Sequence, residues 1–157
     1  MRSKDALKAE LISVLEATLA TARAAHAAAI EGSTHEEARA ENDKDTRGLE
    51  QSYLARGQAQ RVAELEAAIG DVTALALRTF SASTPVALSA LVTVEEDDGE
   101  HRFWLAPAGG GSVLAGEVQV VTPSSPLGQA LLGKRIADEV ELRLPGKLRS
   151  LVVTAIA

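Results

Sequence analysis

Residues 122–153, TPSSPLGQALLGKRIADEVELRLPGKLRSLVV, decide the fold of the second half of the chain. Ser125 is a favourable N-cap residue, Pro126 suits the first turn of a helix, and Gly133 is placed where a helix ends. These signals predict one short helix. Strand-like runs follow on both sides of a Pro-Gly turn, at 139–144 and 148–156. The segment therefore predicts a helix followed by a β-hairpin.

Three more strand-like runs precede this segment and are separated from one another by the turn signals DDG and GGG. They lie at 86–96, 100–107 and 117–122. Their period is close to two, which is typical of strands with one buried face. The second half, residues 73–157, is therefore predicted to be a small α+β domain, an antiparallel sheet with one short helix.

The first half of the chain has a helical period instead. Apolar residues recur every three or four positions over 5–30 and again over 49–69, which predicts two amphipathic helices. The run Gly-Ser-Thr at 32–34 is expected to end the first helix, and Gly70 the second. Two helices joined by a polar connection predict an antiparallel coiled-coil hairpin over residues 1–72, with its connecting end projecting. The alternative is a hairpin that folds back on the second half.

Composition excludes several classes of protein. The chain has 157 residues, no cysteine, a net charge of -6 and only 3% aromatic residues. The missing cysteines exclude disulfides, thiol catalysis and zinc-thiolate sites. The negative charge argues against direct DNA binding. Charged residues interrupt the first twenty positions, which argues against a signal peptide or membrane span. A cytoplasmic protein with no membrane partner is expected.

The connection between the two helices is unusually acidic. Within residues 36–50, EEARAENDKDTRGLE, the acids are Glu36, Glu37, Glu41, Asp43, Asp45 and Glu50, and Asn42 adds an amide oxygen. Carboxylate and amide oxygens are ligands that Mg²⁺ accepts. Two interpretations stay open: a solvated connection whose acids also favour the helix dipole, and a tip that handles a metal ion.

Other motifs give no active site. The run AGGGS at 108–112 lacks the pattern of a phosphate-binding loop and predicts a hairpin loop, and EEDDGE at 95–100 predicts a hairpin turn. The three histidines share no metal-binding spacing, and the serines at 124 and 125 have no nearby His and Asp partners.

The closing stretch, residues 121–153, resembles the end of the GreA/GreB family of bacterial transcript cleavage factors. The matching positions are Ser125, Pro126, Leu127, Gly128, Ala130, Leu131, Leu132, Gly133, Lys134, Asp138, Val140, Pro145 and Gly146. The family carries an amino-terminal antiparallel coiled coil and an FKBP-like carboxy-terminal domain. The resemblance thus covers almost the whole chain and agrees with the two halves predicted above.

The resemblance implies a transcription elongation factor that docks on RNA polymerase through its globular domain, with partner-binding residues Ser125, Pro126, Leu127 and Gly128. A monomer is expected. It also implies a coiled coil inserted into the secondary channel of the polymerase, where the tip acids act in trans on the polymerase's own active site. Those acids are Glu37, Glu41, Asp43 and Asp45, and the implied ligands of a shared Mg²⁺ are Glu41, Asn42 and Asp43. The protein itself would not be an enzyme, would hold no metal stably alone, and would meet the 3′ end of the nascent RNA indirectly.

One departure from the family pattern concerns the tip. Cleavage factors carry a motif resembling DxxEN; Glu41 and Asn42 match its second part, but Ala38 occupies the first acidic position and Glu37 lies one residue away. The run DTRGLE at 45–50 resembles family members that occupy the channel without cleaving RNA. A cleavage-stimulating factor and a non-cleaving inhibitor or regulator are therefore both consistent with the sequence.

Two hypotheses from other classes remain. The FKBP-like second half suggests a prolyl isomerase, which would need an apolar pocket built from Phe80, Phe103 and Trp104. The alanine-rich first helix suggests a self-associating coiled-coil adaptor.

Overall fold

The structure, a computed structural model, describes residues 2–39 and 47–157. Its elements in chain order are α1 (Lys4–Arg39), α2 (Arg47–Thr73), β1 (Leu91–Glu96), β2 (Gly99–Leu105), β3 (Val113–Leu114), β4 (Val118–Val121), α3 (Pro126–Leu131), β5 (Glu139–Leu144) and β6 (Lys147–Ile156). The chain forms two compact units, which we call the hairpin unit (Ser13–Gly70) and the sheet unit (Met1–Ile12 with Asp71–Ala157). None of the helices, over the described residues, has a stretch long and apolar enough to cross a membrane.

The hairpin unit is an antiparallel pair of helices with a coiled-coil pattern of burial. On α1 the buried positions are Leu15, Leu19, Ala22 and Ala29, and on α2 the buried or half-buried positions are Ala55, Gln58, Val62, Leu65 and Ile69. Both series advance by alternating steps of three and four or by a whole heptad, which is the seam of a coiled coil. An ion pair between Arg23 and Glu66, with 3.0 Å between nitrogen and oxygen, flanks the seam.

Both helices are longer than the sequence predicted. The predicted break at 32–34 is wrong, because α1 continues through these residues to Arg39. A single glycine costs a helix only about 1 kcal/mol relative to alanine, and the HEEAR run that follows is rich in good helix formers. Likewise α2 does not end at Gly70 but continues to Thr73.

The sheet unit contains one six-stranded sheet in the order β3-β4-β2-β1-β6-β5. All pairs are antiparallel except β2 with β4, where Arg102 pairs with Val118 and Leu105 with Val121. This parallel pair differs from the all-antiparallel sheet predicted. It arises because the connection from Ala106 to Glu117 is long enough to return the chain in the same direction, and the two-residue strand β3 lies within it.

The core of the sheet unit lies between the sheet and α3. Its buried side chains include Phe80, Val92, Phe103, Leu105, Leu127, Leu131, Val140, Leu151 and Val153. The first turns of α1 belong to this unit as well. Leu7 and Leu11 are fully buried, the ammonium of Lys8 donates to the carbonyl of Leu75 at 2.9 Å, and Glu10 accepts from the amide of Ala115 at 2.9 Å. The start of α1 is thereby fixed in the sheet unit.

Candidate docking site

A groove of about 390 Å³ opens in the sheet unit beside the amino-terminal end of α3. Its walls come from the AGGGS run at 108–112, β4, the start of α3, β5 and β6. The lining residues are Gly110, Gly111, Gln119, Val120, Val121, Thr122, Ser125, Pro126, Leu127, Leu142, Leu144 and Arg149. We call it the α3 groove. Most of its side chains are aliphatic, so it suits an apolar group of a partner.

Ser125 builds the start of α3. Its backbone is extended, with φ of -71° and ψ of 156°, and its hydroxyl accepts from the amide of Gly128 at 3.0 Å and donates to the carbonyl of Thr122 at 2.8 Å. Pro126, which needs no hydrogen-bond partner for its nitrogen, occupies the first turn and is exposed at the groove. The predicted cap is confirmed, and it holds Pro126 at the edge of the groove.

Gly128 is required by a close approach of backbone to backbone. A Cβ atom at this position would lie 1.9 Å from the carbonyl oxygen of Thr122 and 2.8 Å from its carbonyl carbon. Neighbouring Leu127 turns inward with 9% of its surface exposed, and Leu131, one turn later, is fully buried. Gly128 therefore lets α3 sit directly on the end of β4, which forms one corner of the groove.

The other residues of the closing stretch singled out above include Gly133, Lys134 and Asp138, which lie between α3 and β5. Gly133, with φ of +80°, ends the helix and donates to the carbonyl of Val86 at 2.8 Å, while the amide of Val86 donates to the carbonyl of Lys134 at 2.8 Å. The carboxylate of Asp138 accepts from the amide of Arg135 at 2.8 Å and shapes the turn into β5. These residues shape the backbone between α3 and β5 and do not line the groove.

Arg149 is the one charged side chain among the described residues that line the groove. Its Nε donates to Glu96 at 3.2 Å, and its Nη2 donates to the other oxygen of the same carboxylate. The two side chains are 24% and 12% exposed. The hydrogen bond to Glu96 raises the pKa of Arg149, an effect that burial partly opposes. The guanidinium is thus a fixed positive group whose plane is set by Glu96.

The turn between β1 and β2 lies next to Arg149 and is acidic. A small cavity here is lined by Glu96, Asp97, Asp98, Lys147, Leu148, Arg149 and Ser150. His101 bonds to Asp98 at 2.9 Å, and this hydrogen bond is the main cause that lowers the pKa of Asp98. The predicted turn is confirmed, with Gly99 at φ of +128°.

Most of the predicted tip residues lie outside the part of the chain that the structure describes. Glu41, Asn42, Asp43 and Asp45 lie outside the described residues, and Glu37 lies on the last turns of α1. Within residues 2–39 and 47–157 no three or more His, Asp or Glu side chains stand together as a metal site. The Mg²⁺ ligands therefore stay a prediction.

The aromatic residues considered for an isomerase pocket lie elsewhere. Trp104 is fully buried and its indole nitrogen donates to the carbonyl of Ser89 at 3.2 Å, Phe103 is in the core, and Phe80 packs under Lys4 and Arg78. None of them lines the α3 groove. The groove thus lacks the aromatic wall that the isomerase hypothesis needs.

Sequence reasoning missed the second wall of the groove. Leu142 and Leu144 alternate with charged residues in the run EVELRL, which predicts that they share one face of a strand. The alternation does not predict that this face lies across the groove from the start of α3. Arg149 gave no signal, because its partner Glu96 is 53 positions away in the chain.

Comparisons with known proteins agree with the sequence motif. Residues 81–157 match the family described as transcription elongation factor GreA/GreB, carboxy-terminal domain. The transcription elongation factor GreA of Sphingopyxis alaskensis is 30% identical over 128 residues, covering 77% of this chain and 76% of that protein. GreA of Beijerinckia indica subsp. indica is 29% identical over 111 residues, covering 67% and 69%. The crystal structure of GreA factor homolog 1 of Thermus thermophilus covers 93% of this chain and 94% of that chain at 22% identity, with a TM-score of only 0.41.

Proposed function

Because the chain belongs to the GreA/GreB family of transcription elongation factors, we propose that it binds bacterial RNA polymerase through the sheet unit and modulates elongation through the acidic connection between α1 and α2. The observation that carries the proposal is the α3 groove, which is built within the segment that matches the family and exposes Pro126 at its edge. A factor with this partner works in the cytoplasm.

The docking half of the proposal rests on the chemistry of the groove. Val120, Leu127 and Leu142 form a buried aliphatic lining beside the half-buried Leu144, while the hydroxyl of Ser125 is occupied by the cap. Ser125 and Gly128 therefore support docking by shaping the groove, Leu127 supports it from the core, and the exposed Pro126 offers contact surface. Burying apolar surface contributes about 25 cal/mol per Å².

The other half of the proposal concerns the connecting residues. Glu37, Glu41, Asp43 and Asp45 supply carboxylates, and Glu41, Asn42 and Asp43 would supply hard oxygen ligands of the kind Mg²⁺ accepts. A Mg²⁺ shared with the polymerase would favour attack of water on a phosphodiester of the nascent RNA. This chain would orient the ion from outside, in the secondary channel, and the catalytic machinery would remain that of the polymerase.

A non-cleaving regulator is the second candidate. The observation that favours it is Ala38, which stands where cleavage factors of the family carry the first tip acid. Incubating the protein with a backtracked elongation complex and Mg²⁺ separates the two. Shortened transcripts identify a cleavage factor, and slower extension without shortening identifies a regulator. The absence of both effects would contradict the proposal.

Docking is tested by making the same substitution at two exposed prolines, one at the groove and one outside it. Pro126→Asp places a charge at the groove, where it opposes apolar contact but suits the first turn of α3. We expect its affinity for RNA polymerase to fall about tenfold, the equivalent of about 1.4 kcal/mol. Pro145→Asp, on the β5–β6 turn, is the matched control and keeps wild-type affinity. Equal affinities for the two variants would remove the groove from the docking site.

A further inference from the structure

Arg149 has more hydrogen-bonding capacity than the fold uses. A guanidinium carries five N–H donors, and Glu96 takes only one from Nε and one from Nη2. The other three N–H groups have no hydrogen-bond partner in the part of the chain that the structure describes. Arg149 lines the α3 groove as well as the acidic cavity beside it, so its guanidinium lies next to an apolar site.

The surroundings of Arg149 limit what its free donors can bind. Glu96 already neutralises its charge. Asp97 and Asp98 line the adjoining cavity, where Lys147 is the only other cation among the described lining residues. A carboxylate approaching this end of the groove would be repelled by these acids. A main-chain carbonyl oxygen is neutral and escapes that repulsion, yet still accepts a strong hydrogen bond from a guanidinium.

We propose that Arg149 is a specificity-determining residue of the docking site: it donates to a main-chain carbonyl of a polymerase segment whose apolar side chain fills the α3 groove. This inference rests on the proposed function. Glu96 is the positioning residue, because its two-point bond fixes the guanidinium plane before the partner arrives and so reduces the ordering needed on binding. The partner is thereby selected for an apolar side chain next to an unpaired carbonyl.

A purely structural role would give different behaviour. Glu96 and Arg149 lie on the adjacent strands β1 and β6, so the pair could serve only to join them. In that case, replacing Arg149 would change the unfolding transition but not the affinity of the folded protein. Affinity and stability must therefore be measured on the same variants.

The experiment measures the affinity of RNA polymerase for the full chain and its Arg149→Leu variant at low and at high salt. We expect Arg149→Leu to weaken binding about tenfold, the usual scale for a hydrogen bond to a charged group. The ratio of the two affinities stays the same at both salt concentrations, since a short hydrogen bond to a neutral acceptor is little screened. Arg143→Leu, an exposed arginine of the same hairpin outside the groove, is the control and binds as wild type.

Arg149→Lys keeps the inference testable if the leucine variant unfolds. Lysine retains the charge and a partner in Glu96 but lacks the planar fork that directs donors away from Glu96, so affinity falls several-fold. Wild-type affinity in either folded variant overturns the inference. A loss that disappears at high salt also overturns it, since that result identifies a carboxylate partner. Absence of binding by the wild-type chain contradicts the proposed function instead.

Discussion

The sheet unit and the hairpin unit use their residues in different ways. In the sheet unit, individual residues are specified by close contacts: Gly128 by the carbonyl of Thr122, Ser125 by two hydrogen bonds, Leu131 by complete burial. In the hairpin unit, burial follows a heptad seam, and Leu49, Tyr53 and Leu54 remain about half exposed. The difference teaches that the residues around α3 are individually needed for the fold of the sheet unit, whereas the exposed residues of the hairpin unit are not needed for its seam.

Leucine truncation should break this comparison most strongly. Leu131→Ala leaves a cavity in a core position that is 0% exposed, so unfolding free energy should fall by about 3 kcal/mol. Leu54→Ala, at 48% exposure, should cost less than about 1 kcal/mol. Urea unfolding followed by Trp104 fluorescence reports the sheet unit, and far-ultraviolet circular dichroism follows the helices. Equal losses would contradict the difference in burial between Leu131 and Leu54.

Glycine replacement should act in opposite directions in the two units. Gly128→Ala forces α3 away from Thr122 and should destabilise the sheet unit by about 2 kcal/mol. Gly57→Ala meets no atom within 4 Å on α2 and should stabilise the hairpin unit by about 0.5–1 kcal/mol. The same two spectroscopic signals in urea measure both changes. A stable Gly128→Ala protein would show that α3 can shift without loss.

The cap of α3 allows a comparison between neighbouring serines. Ser125→Ala removes the acceptor for the Gly128 amide and should cost about 1 kcal/mol. Ser124→Ala is the control: the Ser124 side chain is exposed, so stability should change by no more than about 0.5 kcal/mol. Thermal unfolding followed by Trp104 fluorescence distinguishes the two, and similar melting temperatures would contradict the capping role.

The smallest effect concerns the acidic turn. The hydrogen bond from His101 lowers the pKa of Asp98 in the folded state. The stability that this ionised carboxylate contributes is therefore present above the unfolded pKa of about 3.9 and is lost as pH falls through the folded pKa. Replacing His101 by Ala should raise the titration midpoint of Asp98, followed by NMR of its carboxyl carbon. His26→Ala, in the hairpin unit, should leave that midpoint unchanged. An unchanged midpoint in the His101 variant would exclude this hydrogen bond.

Local signals explain why α3 and its hairpin were predicted correctly. Ser125, Pro126, Gly133 and the Pro-Gly turn each act on neighbouring backbone, so their positions alone indicate the structure. The same reasoning failed at residues 32–34, where the propensity of the following residues outweighs one glycine.

Features that depend on distant contacts could not be predicted. Strand β3 has two residues and too few side chains to show a period, and the parallel pairing of β4 with β2 is settled by tertiary packing. The pairing of Arg149 with Glu96 likewise needs the register of β1 against β6. The sequence therefore predicts only one wall of the α3 groove, the one formed by Ser125 to Gly128.

The proposal that the sheet unit docks while the connecting residues act is tested most directly by the double variant Glu41→Ala with Asp43→Ala. Polymerase affinity and transcript length are measured on the same protein. We expect the affinity for RNA polymerase to match that of the wild-type protein, while the effect on the transcript disappears. An undiminished effect on the transcript, or a loss of affinity as large as the loss of activity, would contradict separate docking and acting units.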